Sequence, residues 1–256
     1  MAHVRIDRDG DVAELVLAAP PLNLFTRDLV AEIADVLRDL PGSARAVLLR
    51  AEGKVFCGGV DVHWFQGHDA QGGAALMAEL LALTHTLEAL PVPTVAVVHG
   101  LNLTIGLELS LGCDLMWAAE DARMGLVETT VGLTPGAGGT QRLVARAGAA
   151  RAADMVITGR IVPATELHAW GIVNELRPRE TLLEDARAYV QRLAAGATMA
   201  MAAGKRLVRE ARDHGVAAAD AITPEVSGSV FETDDIVIGV DSLLEHGPGK
   251  AEFTGH

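Results

Sequence analysis

Apolar positions alternate through the N-terminal stretch HVRIDRDGDVAELVL, at Val4 and Ile6, then at Val12, Leu15 and Leu17, with Asp9-Gly10 between them. Period-two alternation around an Asp-Gly pair predicts a β-hairpin. The period changes in TRDLVAEIADVLRDL, where Leu29, Ile33, Val36, Leu37 and Leu40 share one helical face. ARAVLLRA then reads as a short strand, and GGAALMAELLALTHTLEAL as a helix that stops at Pro91. TVAVVHG is a β-branched strand ending at Gly100, TIGLELSLG reads as helical, and CDLMWAAE as extended. Strands alternating with helices predict an α/β sheet with crossover helices.

After about Gly138 the pattern becomes helical. GGTQRLVARAG, ARAADMVITG, PATELHAWG, ETLLEDARAYVQRLAAG and MAMAAGKRLVREARDHG succeed one another, many closed by Gly. GIVNEL is the one strand expected among them, and DDIVIGVDSLLEHG one more helix. We expect an α/β core over residues 1–196 followed by a helical region over residues 197–256. No linker rich in Pro, Ser or charge separates them, and no internal repeat is visible.

Composition narrows the function. Of 256 residues, 50% are apolar, enough for a large core, and the net charge is −13. Nucleic-acid binding needs clustered Lys and Arg, so such a partner is not expected. Cys57 and Cys113 form no CxxC pair, which argues against a zinc ribbon or a disulfide framework. The first residues lack a basic stretch followed by an apolar run, so no signal peptide is expected there, and no apolar run reaches the ~20 residues of a membrane span. A cytoplasmic protein without membrane insertion is the expectation.

Common catalytic motifs are missing. There is no G-x-S-x-G elbow and no H-E-x-x-H, and the nine His are scattered, so no metal site is expected. GAGGTQ, from Gly136, resembles a dinucleotide fingerprint, but Gln141 stands at its third Gly and no good strand precedes it.

The chemistry lies in carboxylates set among apolar residues. HGLNLTIGLELSLGCDL carries Glu108 in an otherwise apolar run. Thr104 suits a helix N-cap, and the free amides after it, around Ile105 and Gly106, would suit a developing oxyanion. A capping box does not account for Glu108, which stands four rather than three residues after Thr104. Spacing alone leaves open whether Glu108 faces water or a dry site. Upstream, GKVFCGGVDVHWF offers a Gly-rich turn where Gly59 permits close backbone approach and the Val60 amide is a second candidate donor; an ordinary strand-to-helix loop would read the same. Downstream, Glu128 is a second isolated carboxylate before a Thr-Pro-Gly-rich turn, where a solvated loop residue is the alternative.

These segments, in order, resemble the crotonase superfamily, also called the enoyl-CoA hydratase/isomerase family. GKVFCGGVDV and PVPTVAVVHGLNLTIGLELSLGCDL resemble its two oxyanion segments, and GLVETTVGLTPGAGGTQRLVARAG its second acid segment, with PGAGGTQRL the most specific match. TGRIVPATELHAWGIVNEL and FETDDIVIGVDSLLEHGPGKAEF resemble its later segments. The resemblance implies a crotonase-like spiral of ββα units with a helical C-terminal trimerisation region, and a homotrimer or homohexamer. It implies an acyl-CoA thioester substrate, with coenzyme A part of the substrate and no separate cofactor. Val60 and Ile105 would supply the oxyanion amides, and Glu108 and Glu128 the acid–base pair. Gly59, Asp61, His63, Trp64 and Lys250 are candidate substrate-binding residues, and Lys54 and Arg27 further basic candidates for coenzyme A. A Lys near the C-terminus would reach a neighbouring subunit's nucleotide.

The chain departs from the family where Thr104-Ile105 replace the first two of its three glycines, where Val60 replaces a smaller Ala, and where no basic residue precedes Asn23. Both carboxylates together favour reversible hydration of a trans-2-enoyl-CoA to a 3-hydroxyacyl-CoA, in fatty-acid or related acyl-CoA metabolism. The alternatives are an enoyl-CoA double-bond isomerase and a catalytically weak acyl-CoA-binding protein of the same fold.

Overall fold

The computed structural model describes residues 3–40, 42 and 44–256. The expected hairpin forms from β1 (Val4–Asp9) and β2 (Val12–Leu17), paired antiparallel. Helix α1 (Arg27–Asp39) follows, capped by the Thr26 hydroxyl, which accepts from Leu29 N at 3.2 Å. It buries Leu29, Ile33 and Leu37, the stripe seen in the sequence. Strand β3 (Ala46–Ala51) leads through a 3₁₀ turn (Val62–Phe65) to α2 (Ala70–Glu88). Strand β4 (Thr94–Val98), wholly buried and β-branched, is followed by β5 (Leu101–Leu103), α3 (Ile105–Gly112), β6 (Leu115–Ala119) and β7 (Arg123–Gly125).

A second 3₁₀ turn (Glu128–Val131) precedes α4 (Gly139–Ala147) and α5 (Ala149–Thr158). Then come β8 (Val162–Pro163), α6 (Ala164–Ala169), β9 (Glu175–Arg177) and α7 (Leu182–Ala194). The last helices are α8 (Thr198–His214), α9 (Val216–Gly228) and α10 (Asp234–His246). Helix α9, with Pro224 inside it, is not among the elements expected from the sequence; Pro in a helix interior normally signals a break.

The main sheet runs β1-β2-β3-β4-β6-β9, parallel from β2 onward. Its inner strands β2, β3 and β4 are buried on both faces, as parallel sheets require. Two charged side chains inside it, Glu14 and Arg50, are tolerated because they pair at 2.6 Å, with Arg187 of α7 also on Glu14.

Also unexpected is a second sheet, β5-β7-β8, in which β5 and β7 are parallel. It extends the chain past Gly100 before α3 begins. Loops leaving the C-terminal ends of β3, β5 and β7 therefore meet, and these carry Val60, Ile105 and Glu128. Such ends are where parallel α/β sheets gather ligand sites.

Candidate active site

The loop after β3 is fixed by main-chain pairing. Phe25 N donates to Gly59 O and Asp61 N donates to Phe25 O, both at 2.9 Å. Gly59 has φ +115°, a conformation that disfavours side chains, and a Cβ there would meet the Thr104 hydroxyl. The Val60 amide between these bonds donates to no protein acceptor among the described residues.

The second loop is joined to the first through Cys57. Leu103 N donates to Cys57 O at 2.9 Å. The Cys57 sulfur accepts from Gly59 N at 3.3 Å, and its side chain packs so closely on Gly106 that a Cβ there would collide with it. One buried side chain thus bonds the residue before Val60 and packs on the residue after Ile105. Burial pushes its thiol up to about 12, so it stays a neutral thiol. The Ile105 amide, at the start of α3, has no protein acceptor among the described residues.

Thr104 departs from the N-cap expectation. It precedes α3, but its side chain caps nothing. Its backbone has φ +51° and ψ −126°, and its buried hydroxyl lacks a partner. Thr104 N donates to Gly125 O at 2.9 Å, tying α3 to the end of β7.

Glu108 lies on α3, 2% exposed, which decides against a water-facing role. One carboxylate oxygen accepts from Ala137 N at 2.9 Å and Gly139 N at 2.8 Å. Gly139 allows this close approach, since a Cβ there would lie 2.6 Å from Glu108 Cγ. Burial raises the Glu108 pKa to about 7, while the two amides and the Arg142 charge pull the other way. Glu128 opens the 3₁₀ turn after β7, half-buried, with one carboxylate oxygen inaccessible and unpartnered. Burial, then the negative charge of Glu108, raises its pKa to about 8.

The model of the enoyl-CoA hydratase/isomerase family matches residues 7–255. The chain belongs to that family. It is 33% identical to enoyl-CoA hydratase domain-containing protein 2, mitochondrial, of Homo sapiens, over 93% of this chain and 84% of that protein. It is 29% identical to a probable enoyl-CoA hydratase of Bacillus subtilis over the full length of both. The crystal structure of an enoyl-CoA hydratase from Bacillus anthracis superposes with a TM-score of 0.92 at 27% identity, covering 99% of this chain and 100% of that one. The fold is the crotonase fold of this enoyl-CoA hydratase/isomerase family.

The other candidate residues of this family member are placed less centrally. Asp61 caps the 3₁₀ turn Val62–Phe65, accepting from His63 N at 3.0 Å, and lies 2.8 Å from the His63 ring. The His63 side chain is 79% exposed. Trp64 and Phe65 pack against the core, and the Trp64 indole N–H is buried without a partner. Lys250, Lys54 and Arg27 are exposed. Lys250 stands between α10 and a tail held down by Asp235, which accepts from Thr254 N at 2.7 Å.

Sequence reasoning missed Cys57, the Ala137 and Gly139 amides, and Arg142. PGAGGTQRL, quoted above as a whole, contains three of these four; its Gly-Gly pair was the available signal for a close backbone approach. Among the described residues no group of three or more His, Cys, Asp or Glu could hold a metal ion.

Proposed function

We propose that this protein is an enoyl-CoA hydratase, reversibly adding water to a trans-2-enoyl-CoA to give a 3-hydroxyacyl-CoA. What carries the reading is a buried Glu108 held by two amides and a half-buried Glu128 with an unpartnered oxygen, together with the Val60 and Ile105 amides, which no protein acceptor among the described residues takes. Two coupled acids with raised pKa retain a proton between them near neutral pH. Glu108, pinned by two N–H donors, suits the ionised base; Glu128, with an unpartnered oxygen and no N–H donor from another of the described residues, suits the protonated acid.

In the forward direction Glu108 takes a proton from water as its oxygen bonds to C3. The C2=C3 electrons move toward the thioester, whose oxygen gathers negative charge and accepts from Val60 N and Ile105 N. Glu128 then delivers its proton to C2, and the sum is one added water. Losing one oxyanion donor typically costs ~10²–10³ in rate. Coenzyme A is carried by the substrate, so the reaction takes no separate cofactor.

Gly59 would let the thioester approach, and Trp64 would line the acyl side. Asp61 and His63 are committed to each other, so their support for binding is indirect. Lys250 is proposed for the nucleotide of a neighbouring subunit. We propose a trimer or hexamer, supported by the apolar side chains exposed on the C-terminal helices, among them Val208, Val216, Val240, Leu243 and Leu244. A cytoplasmic site of action is part of the same proposal.

The test is a series of trans-2-enoyl-CoAs of graded acyl length in solvent enriched in heavy oxygen. Hydration removes the conjugated-thioester absorbance and places solvent oxygen on C3. Product that has moved its double bond without label would establish the isomerase instead, and tight binding without turnover the weak binder.

A further inference from the structure

The peptide that links Gly138 to Gly139 is held at both ends. Its N–H donates to Glu108 at 2.8 Å, and its C=O accepts from Arg142 Nη1 at 3.1 Å. Gly138 has φ +91°, and a Cβ there would collide with the Arg142 guanidinium and with Leu81 of α2. Arg142, 8% exposed on α4, also pairs with Glu88 at the end of α2. The other Glu88 oxygen pairs with Arg212 of α8 at 2.5 Å, and Arg209 donates to the Glu88 carbonyl at 3.2 Å. An unbroken polar chain runs from α8 through Glu88 and Arg142 to the peptide that holds Glu108.

We propose that Arg142 is a positioning residue that fixes and polarises the 138–139 peptide, so that its N–H holds Glu108 in place and ionised. The proposal rests on the reading of Glu108 as the base. A cation bound to a carbonyl draws electron density through the peptide and makes its N–H a stronger donor. Glu88 holds the guanidinium against the loop, and Arg212 satisfies the second Glu88 oxygen. The groups facing Glu108 are Glu128, Arg142 and the Ala137 and Gly139 amides. Those around Arg142 are Glu88, His85, Arg209, Arg212 and Asp213. Burial works against an ionised base, and the two amides and Arg142 offset part of that.

The experiment follows the Glu108 carboxyl by carbon-13 NMR titration, assigned with Glu108→Gln, alongside the pH profile of kcat/KM. Arg142→Met should raise the Glu108 midpoint by roughly 0.5–1 pH unit, less than the ~1–3 units of a directly adjacent charge. The rising limb of the profile should move up with it. Arg142→Lys keeps the Glu88 ion pair but loses the fork, and should give a smaller upward move. Arg212→Met breaks the distal pair alone and should lower stability without moving the midpoint. Should Arg142→Met fail to fold, the Lys variant decides. A midpoint unmoved in the folded Met or Lys variant overturns the proposal, as does an equal move in Arg212→Met. The titration reads Arg142 even if wild type hydrates no enoyl-CoA, an outcome that would sink the proposed function alone.

Discussion

Replacing Glu128 with Gln should make the fold less sensitive to alkaline pH. Burial and the charge of Glu108 raise Glu128 from the ordinary 4.5 to about 8. A carboxyl whose folded pKa is raised keeps a proton that the unfolded chain releases, so stability is lost as pH climbs from about 4.5 to 8. At ~1.36 kcal/mol per pH unit, this sets a ceiling of about 5 kcal/mol. Glu128 is partly exposed and shares its shift with Glu108, so solvent screening brings the figure to about 1–3 kcal/mol. Gln keeps the shape and removes the titration; it also removes the like charge beside Glu108. Urea denaturation followed by circular dichroism, at one subunit concentration, would be run at pH 5.5 and 8.5. The variant should gain about 1–3 kcal/mol on wild type between the two conditions. Parallel losses in both proteins would show that Glu128 titrates like a solvated side chain, and the argument for a shared proton would fail.

Two further perturbations bear on the site's construction. Gly139→Ala places a methyl 2.6 Å from Glu108 Cγ; we expect a loss of about 1–3 kcal/mol in denaturation and a fall of ~10²-fold in kcat/KM from misplacing the base, with unchanged activity counting against the close approach. Thr104→Gly relieves a β-branched residue at φ +51° and removes a buried, unpartnered hydroxyl; strain relief of about 1–3 kcal/mol, less up to ~1 kcal/mol for the added chain entropy of Gly, should raise the denaturation midpoint, and a lowered midpoint would contradict the strain.

Elements with a sustained period were legible in the chain. The hairpin, α1 and the β-branched strand β4 follow directly from alternation or from a helical stripe. Strands of two or three residues, β5, β7 and β8, show no period, yet they bring Ile105 and Glu128 to one place. Helix α9 was hidden by Pro224.

At the site, the two acids stood out because each is a charge among apolar neighbours. The donors that hold Glu108 did not, because main-chain N–H groups have no residue-type signature and lie 29 and 31 positions away. Thr104 misled for a related reason. Its residue type fits an N-cap, but the β5–β7 pairing sets its backbone, and the side chain is turned from the helix start toward Gly59. His63 follows the first loop in sequence, but the capping bond from Asp61 leaves its ring exposed.

The proposed acid–base pair is tested most directly by kcat/KM for trans-2-enoyl-CoA hydration in Glu108→Gln, Glu128→Gln and the double variant, with folding checked by circular dichroism. Each single change should cost at least ~10²-fold, and the double variant should fall little below the worse single one, since the two acids act as a unit. Hydration near the wild-type rate in either folded single variant would contradict a mechanism that needs both carboxyls.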